Sequence, residues 1–382
     1  MYRSLSLLFL LLLINVGCRT LSEYDVDSGS VIAFSPASSE QYIGSPSIAK
    51  LPNGKYIASH DFFGPKATLR QTEVYYSVDD GISWEKISEL DGQYWSSLFY
   101  HQGHLFIMGT SEQYGYCVIR RSDDEGKTWT EPKDSLTGIL LGDSEYHTAP
   151  MPTVIHDGRI WRAMEERNPP EKWGVNFLSF VISAPDDADL LKASSWQTTN
   201  RLRYNQEWEG KAWLEGNVVV TPIGGIENIL RCAVDKDEIG ELACVINISL
   251  DGKKAEYDST KGFIVFPGGS KKFSIRYDEK SQLYWSLSNY IPKEYEGNDP
   301  SQTRNTLALI SSPDLKSWKA NKIILQNSDV KHIGYQYVDW LFEDEDIISV
   351  VRAAYPERDG TQAHRAHDAN HMLFLRIEEF RN

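Results

Sequence analysis

A short pattern, Ser-x-Asp-x-Gly-x-Ser/Thr-Trp, occurs twice without gaps, as SVDDGISW at 77–84 and SDDEGKTW at 122–129. SSPDLKSW at 311–318 is a degenerate third copy, SAPDDADLLKASSW at 183–196 carries an insertion, and SLDGKKAEY at 249–257 lacks the Trp. Each copy follows an apolar, partly alternating segment such as TEVYYS or GYCVIRR, which is typical of a β-strand. Recurrence of one element at the same place in successive units predicts a repeat architecture.

Two further strands joined by a tight polar turn precede each repeated element, as in PSIAKLPNGKYIASH and PTVIHDGRIWRAME. The turns PNGK and HDGR have the Gly and Asn/Asp chemistry of β-hairpins. The unit is therefore four antiparallel strands, A to D, with the repeated element at the C to D turn. Units of roughly 40 to 50 residues predict an all-β β-propeller, here with six blades or, as the alternative count, seven. The N-terminal strand VIAFSP would complete the last blade and remove an open sheet edge.

The first eighteen residues, MYRSLSLLFLLLLINVGC, have an early positive charge, an apolar run and a small residue before Cys18. This pattern predicts an export signal at 1–18, then a linker at 19–30 and a single propeller domain at 31–382. Gly17-Cys18 resembles the end of a bacterial lipoprotein signal, so a lipid on Cys18 and plain secretion are both left open. We expect an exported protein, located in the periplasm, held at the outer membrane by the lipid, or secreted.

The net charge of −15, without any run of Lys or Arg, excludes nucleic acid as a partner, because a polyanion requires a basic face. Cys232 and Cys244 lie symmetrically about Glu238 in an expected hairpin, where they could form a disulfide or remain two half-buried thiols. No Cys or His spacing typical of a metal site occurs in the sequence. We expect no cofactor and no metal, and a membrane contact only through a lipid on Cys18.

Strand polarity predicts where the chemistry lies. Residues just before strand A and just after strand B should meet around the central channel, on the face opposite the repeated turns. Carboxylates, imidazoles and guanidinium groups converge there, a combination suited to binding and cleaving an acidic sugar. The predicted catalytic residues are His60, Asp61, His147, Glu165 and Glu215. The predicted substrate-binding residues are Arg167, Asn217, Arg231, Tyr290, His332, Arg352 and His367.

The repeated element resembles the Asp box, or BNR repeat, of sialidases and other bacterial propeller proteins. Its Asp and Ser side chains can satisfy turn amides, its Gly can adopt a positive φ, and its Trp can fill the gap between sheets. Because one active site cannot use five equivalent turns, we interpret the element as structural and not catalytic.

The sialidase resemblance also implies a set of site residues. Retaining sialidases have an Arg-Ile-Pro motif before the first strand A, an Asp after the first strand B, three carboxylate-binding Arg residues and a Tyr/Glu nucleophile pair. The stretch IGSPSI has no Arg where that motif is expected. The other roles could be filled by Asp61, Arg231, Arg352, Tyr290 and Glu215.

Most of the mature chain is more similar to propellers of polysaccharide-degrading bacteria, namely glycoside hydrolase family 145 and the ulvan lyases of polysaccharide lyase family 25. The stretches that carry this resemblance include YIGSPSIAKLPNGKYIASHDFFGP, YHTAPMPTVIHDGRIWRAMEE and HDANHMLFLRIEEFR. The hydrolase family implies removal of a terminal L-rhamnose linked to glucuronic acid by a catalytic histidine, here His60. The lyase family implies a His, a Tyr and an Arg. His147 and Arg231 match two of these, but Glu215 stands where the Tyr is expected.

These features together predict a glycoside hydrolase, specifically an α-L-rhamnosidase acting on rhamnose linked to glucuronate in an acidic oligosaccharide or polysaccharide. His60 would transfer a proton or orient water, Asp61 would tune its pKa, and the arginines would bind the uronate carboxylate. Glu165, Glu215 and His147 would hold hydroxyls or serve as acid/base in place of His60. The alternatives are an ulvan-type lyase, an exo-sialidase and a non-catalytic glycan-binding lipoprotein.

Overall fold

The computed structural model describes residues 29–170, 172–208, 210–233 and 241–382. The predicted export signal, Cys18, most of the predicted linker and Glu238 lie outside these residues. In the described ranges the regular secondary structure is β-strand, with short 3-10 helices only at Ala37–Ser39, Ala193–Ser195 and Lys293–Tyr295. None of the helices in this part of the chain is long and apolar enough to span a membrane.

The strands form six sheets, which the chain builds one after another. Strand β1 (Ser30–Phe34) precedes the first of them. Blade one contains β2 (Tyr42–Ile43), β3 (Ser47–Lys50), β4 (Tyr56–Phe63), β5 (Gln71–Ser77) and β6 (Glu85–Asp91). Blade two contains β7 (Tyr94–His101), β8 (His104–Thr110), β9 (Cys117–Ser122) and β10 (Ile139–Leu141). Blade three contains β11 (Glu145–His147), β12 (Val154–His156), β13 (Arg159–Arg167), β14 (Phe177–Pro185), β15 (Gln197–Thr198) and β16 (Leu202–Arg203).

The second half of the chain repeats the plan. Blade four contains β17 (Ala212–Val220), β18 (Ile226–Ala233), β19 (Leu242–Ile248), β20 (Ala255–Glu256) and β21 (Phe263–Val265). Blade five contains β22 (Ser274–Asp278), β23 (Leu283–Ser288), β24 (Thr306–Ser312) and β25 (Lys319–Gln326). Blade six contains β26 (Gly334–Glu343), β27 (Asp346–Ala354) and β28 (His371–Ile377). All neighbouring strands pair antiparallel, and the predicted six-bladed β-propeller is confirmed.

The ring closes through the N-terminal strand, as the sequence predicts. Strand β1 pairs antiparallel with β28, with Val31 opposite Leu373 and Phe34 opposite His371, and becomes the outer strand of blade six. First and last segments of the described chain therefore share one sheet, so no blade is left with three strands.

Closure also has an energetic component. Ile32 is 6% exposed and packs in a cluster with Ile48 and Phe374, between blades six and one. We expect Ile32→Ala to lower the free energy of unfolding by about 2 kcal/mol, because it removes buried methyl groups from an outer strand that can only partly relax. Urea denaturation measures this, with Ile82→Ala as the control, since Ile82 is 71% exposed and its truncation should cost less than about 0.5 kcal/mol. Equal midpoints for the two variants would contradict a packing role for the closing strand.

The repeated turns satisfy themselves internally. Oδ1 of Asp79 accepts the Ser83 amide at 2.9 Å, Oδ2 accepts the Ser83 hydroxyl at 2.6 Å, and the Trp84 indole donates to the Gly81 carbonyl at 3.1 Å. Gly81 has a φ of 86°, the left-handed region that glycine tolerates best. Corresponding bonds recur in 122–129. With their carboxylates engaged in this way, these turns have the geometry of structural elements.

Cys232 and Cys244 lie in one apolar cluster of blade four, together with Trp213 and Leu230. Both are free thiols and both are buried. Of the two arrangements that the sequence leaves open, the structure contains the thiols, and they are more deeply buried than expected, since the same cluster includes Trp161 and Val181 of blade three.

Candidate active site

Three equivalent bulges shape the central channel. Strand A of blades two, four and six is interrupted at Trp95, Glu215 and Tyr337, where the pairing register shifts. These residues have φ values of 46°, 56° and 56°. A left-handed backbone is costly for a residue with a Cβ, of order 1 kcal/mol or more, and bulges of this kind re-aim side chains at functional sites.

The bulges of blades four and six bring two side chains together across the channel. The Tyr337 hydroxyl donates to Oε1 of Glu215 at 2.6 Å, and Arg231 Nη1 donates to Oε2 of Glu215 at 3.0 Å. Since blades four and six are not neighbours, this contact lies at the centre of the ring.

The electrostatics of this pair favour a neutral phenol beside an ionised carboxylate. Burial acts to raise the pKa of the Glu215 carboxyl, but Arg231, the Tyr337 hydroxyl and His147 hold it below its ordinary value. Burial, followed by the field of Glu215, raises the pKa of Tyr337 to about 12. Glu215 can therefore accept a proton from a tyrosine that is otherwise too weak an acid to lose it.

Three buried arginines surround the pair. Arg231, Arg304 and Arg352 come from blades four, five and six, and each is no more than 5% exposed. Burial, reinforced by Arg231 and Arg352, lowers the pKa of Arg304 to about 9, while burial is also the main cause that lowers the pKa of Arg352. Three like charges in one buried site are costly unless an anion offsets them. The cluster is therefore a candidate anion-binding site.

Each guanidinium is held in place by hydrogen bonds or ring contacts from the propeller. Arg231 Nε donates to the Ser270 carbonyl at 2.8 Å, and Arg304 Nη1 donates to Gln336 Oε1 at 2.6 Å. The guanidinium of Arg352 lies 4.3 Å from the ring centroids of both Phe63 and Tyr337, and donates to the His367 carbonyl. Among the described residues, no partner exists for the buried Nε groups of Arg304 and Arg352.

Asp61 lies on strand B of blade one, two residues before its end at Phe63, and is 1% exposed. Its two carboxyl oxygens accept the amides of Ser45 and Trp95, both at 2.7 Å, and burial raises its pKa. Gly44 lies two residues before Pro46, at the position of the missing sialidase Arg. A Cβ on Gly44 would lie only 1.7 Å from Asp61 Oδ1. The structure therefore leaves no room for a side chain at residue 44. An arginine is found in the adjacent blade six, where Arg352 lies on β27.

A histidine and a carboxylate form a second polar pair in blade three. His147 and Glu165 are opposite each other on β11 and β13, and Oε2 of Glu165 accepts the Nδ1–H of His147 at 2.9 Å. Oε1 of Glu165 accepts the amide of Gly216, the residue after Glu215, at 3.3 Å. The two pairs are thus connected through one peptide of strand A in blade four.

His60 is not brought to this cluster. It is 1% exposed, its ring lies 5.6 Å from that of Tyr75 and 4.8 Å from that of Phe62, and its Nε2 is 3.7 Å from Glu73. Successive residues of a strand point to opposite faces, so the side that receives Asp61 cannot also receive His60. Burial lowers the pKa of the imidazole, and it offers no surface to a substrate.

Two other residues that were predicted to bind substrate, Asn217 and Tyr290, instead hold parts of the propeller together. Asn217 links blades four and five, because its Oδ1 accepts the Ile275 amide at 3.0 Å and its Nδ2 donates to the Phe273 carbonyl at 3.2 Å. Tyr290 packs against the apolar cluster around Phe273, and the hydroxyl that meets Glu215 belongs to Tyr337. Two predictions about these side chains, binding by Asn217 and pairing of Tyr290 with Glu215, do not match where the structure places them.

The remaining predicted residues lie at the rim. Arg167 pairs with Glu145 and lies 4.5 Å above the Tyr114 ring. His332 is hydrogen-bonded to Asp329 at 2.9 Å in the loop before β26. The ring of His367 lies 5.0 Å from that of Phe63, and burial, followed by the charge of Arg352, lowers its pKa to about 3.

Sequence reasoning missed Tyr337, Arg304 and Trp95. Tyr337 and Trp95 lie in GYQYVD and GQYWSS, at the place that Glu215 occupies in WLEGNV, so an alignment of strand A from alternate blades would have revealed them. Arg304 precedes β24, a strand C, whose start lies on the same face as the end of strand B. The predicted site contains only residues before a strand A and after a strand B, and Arg304 belongs to neither group.

Fold and site together define a six-bladed β-propeller with a polar, arginine-rich site in its central channel. No family model and no curated protein matches the sequence. Solved structures share the fold. The α-L-arabinanase of Penicillium chrysogenum, complexed with arabinobiose, has a TM-score of 0.60 at 14% identity, over 92% of this chain and 98% of the other.

Two further similar structures bind acidic ligands. Trypanosoma rangeli sialidase in complex with sialic acid has a TM-score of 0.60 at 14% identity, over 92% of this chain and 58% of the other. The intramolecular trans-sialidase of Ruminococcus gnavus, in complex with oseltamivir carboxylate, has a TM-score of 0.55 at 12% identity, over 93% of this chain and 98% of the other. At such identities the similarity establishes the fold and leaves the reaction to the site.

Proposed function

We propose that the protein is a retaining exo-glycosidase that removes a terminal sugar carrying a carboxylate on its anomeric carbon, the chemistry of sialic acids. The observation that carries this proposal is the 2.6 Å hydrogen bond between Tyr337 and Glu215 among three buried arginines. A carboxylate nucleophile would be repelled by the carboxylate of such a sugar, whereas a neutral phenol would not. Sialidases are the glycosidases in which a Tyr takes this role.

In the proposed reaction, Arg231, Arg304 and Arg352 bind the substrate carboxylate with charge-assisted hydrogen bonds. The Tyr337 oxygen attacks the anomeric carbon while Glu215 accepts the phenolic proton. The glycosidic bond breaks and a glycosyl-tyrosine forms. Water then attacks the same carbon, Tyr337 departs and regains its proton from Glu215, and the sugar leaves with its original anomeric configuration.

Rhamnose on glucuronate, the substrate predicted from the sequence, has less support. That prediction depended on His60, whose side chain is buried against Phe62 and Tyr75. The arginine cluster could also hold a uronate, but it surrounds the Tyr337 hydroxyl, which favours a carboxylate on the ring that is attacked. The occurrence of this fold in a sialidase and an arabinanase supports glycosidase chemistry in general.

Product analysis on three substrates tests the proposal. We expect the protein to release sialic acid from sialyl-lactose, with retention visible in the first NMR spectra, and to leave a rhamnosyl-glucuronate disaccharide and ulvan intact. Release of rhamnose would instead support the substrate predicted from the sequence, and an unsaturated uronate would indicate a lyase. Tight binding of sialyl-lactose without any product would contradict the enzyme proposal and support a glycan-binding protein.

A further inference from the structure

The proposed reaction needs a proton donor for the departing oxygen, and neither Glu215 nor Asp61 is free to act. Glu215 receives the phenolic proton and is held ionised by Arg231. Asp61 uses both carboxyl oxygens to accept the amides of Ser45 and Trp95. Its interaction with Trp95 holds the left-handed bulge of blade two, so withdrawing Asp61 would disturb the channel wall.

The His147–Glu165 pair has the geometry that such a donor requires. Glu165 engages Nδ1 at 2.9 Å, which fixes the ring orientation and leaves Nε2 without a hydrogen-bond partner among the described residues. The imidazole is stacked on Phe177 at 4.3 Å and is contacted edge-on by Trp95 at 4.5 Å. Glu165 is anchored in turn on the Gly216 amide at 3.3 Å. The ring is therefore rigid, and it adjoins the segment that carries Glu215.

We propose that His147 is the acid/base residue of this site and that Glu165 is its positioning residue; the inference rests on the proposed function. In the first step, protonated His147 donates the Nε2 proton to the glycosidic oxygen as its bond to the anomeric carbon breaks. In the second step, the neutral ring removes a proton from the attacking water as the bond to Tyr337 breaks. His147 ends the cycle protonated, so protons and bonds balance.

The surroundings of His147 also fit a leaving group that is itself a sugar. Trp173 is 52% exposed, and its ring lies 5.9 Å from Phe177, on which His147 is stacked. Aromatic faces of this kind are apolar surfaces on which a sugar ring can lie. The donor would thus face a glycosidic oxygen whose other substituent rests on blade three.

Leaving-group dependence tests the assignment. The leaving group of a methylumbelliferyl sialoside, methylumbelliferone, departs without protonation. The leaving group of sialyl-lactose, lactose, has to be protonated by an acid. We expect His147→Asn to lower kcat/KM for sialyl-lactose about 100-fold and kcat/KM for the aryl sialoside less than about 10-fold, because kcat/KM reports the first step, in which only sialyl-lactose needs the acid. Glu165→Gln, which keeps an acceptor for Nδ1, should lower only the sialyl-lactose value, about 10-fold. Activity on the aryl substrate shows that each variant is folded.

The matched control is His104→Gln, since His104 also pairs with a carboxylate, Asp123, at 2.7 Å, but at a turn on the opposite face. It should leave both rates unchanged. If His147→Asn lowered kcat/KM for both substrates equally, or if Asp61→Asn alone produced the leaving-group selectivity, the assignment of His147 would be overturned while the proposed function stood. Wild-type protein that cleaved neither sialoside would overturn the proposed function, and this inference with it.

Discussion

Tyr337→Phe should lower kcat by at least about 1,000-fold for both the aryl sialoside and sialyl-lactose, because it deletes the attacking oxygen and not the leaving-group chemistry. The phenyl ring would still lie against Arg352, where the centroid now stands 4.3 Å from the guanidinium carbon. The arginine cluster should therefore survive. Calorimetric titration with free sialic acid should give a Kd within about threefold of wild type.

Two comparisons make this result specific. Tyr100→Phe removes a hydroxyl from a side chain that is 37% exposed near the end of β7, toward the opposite face, and it should leave activity unchanged. Tyr290→Phe tests the tyrosine that the sialidase resemblance implied as nucleophile. Full turnover by Tyr337→Phe, or its loss in Tyr290→Phe instead, would show that the contact between Tyr337 and Glu215 is structural.

Arg352→Met should weaken binding of free sialic acid about 300-fold, or about 3.4 kcal/mol, because it removes one of three donors to a buried carboxylate. The methionine can occupy the space between Phe63 and Tyr337 that the guanidinium now fills. Removing one of three like charges should also leave the free energy of unfolding of the ligand-free protein unchanged or raise it. Affinity and stability are expected to move independently.

An uncharged analogue of sialic acid distinguishes recognition of the carboxylate by Arg352 from packing of the Arg352 side chain. We expect the carboxamide analogue of sialic acid to bind weakly to wild type, and Arg352→Met to lower its affinity less than about threefold. Arg159→Met is the control, since Arg159 bonds to Ser183 at the turn side of blade three. Equal losses for acid and amide would mean that Arg352 shapes the channel and does not bind a carboxylate.

The fold could be predicted because its information is local. Each blade has its own strand alternation and its own repeated turn, so six blades and the closing strand follow from short stretches of sequence. Asp61, His147 and Glu215 could be assigned to the channel face for the same reason, since strand ends of known polarity meet there. The face on which a strand ends does not depend on the direction of its side chains.

The parts of the site that the sequence did not predict depend on the direction of individual side chains. His60 and Asp61 are adjacent, and only the pairing of β4 decides which of them faces blade two. Tyr337 takes its position from a bulge that shifts the register of β26, which an alternating pattern does not reveal. Arg304 reaches the site from blade five, far along the chain from Arg231 and Arg352, and only the closed ring brings the three charges together.

The closing strand also gives the propeller a polarity. Ser30 starts β1 beside the first repeated turn, where its hydroxyl donates to the Gly81 carbonyl. The strand runs from there toward the channel mouth, meaning the face opposite the repeated turns. Anything joined ahead of Ser30 is attached on the side away from the mouth. A bead, a chip or a bilayer coupled at that end would leave the opposite face of the propeller, which carries the candidate site, directed toward glycans in solution.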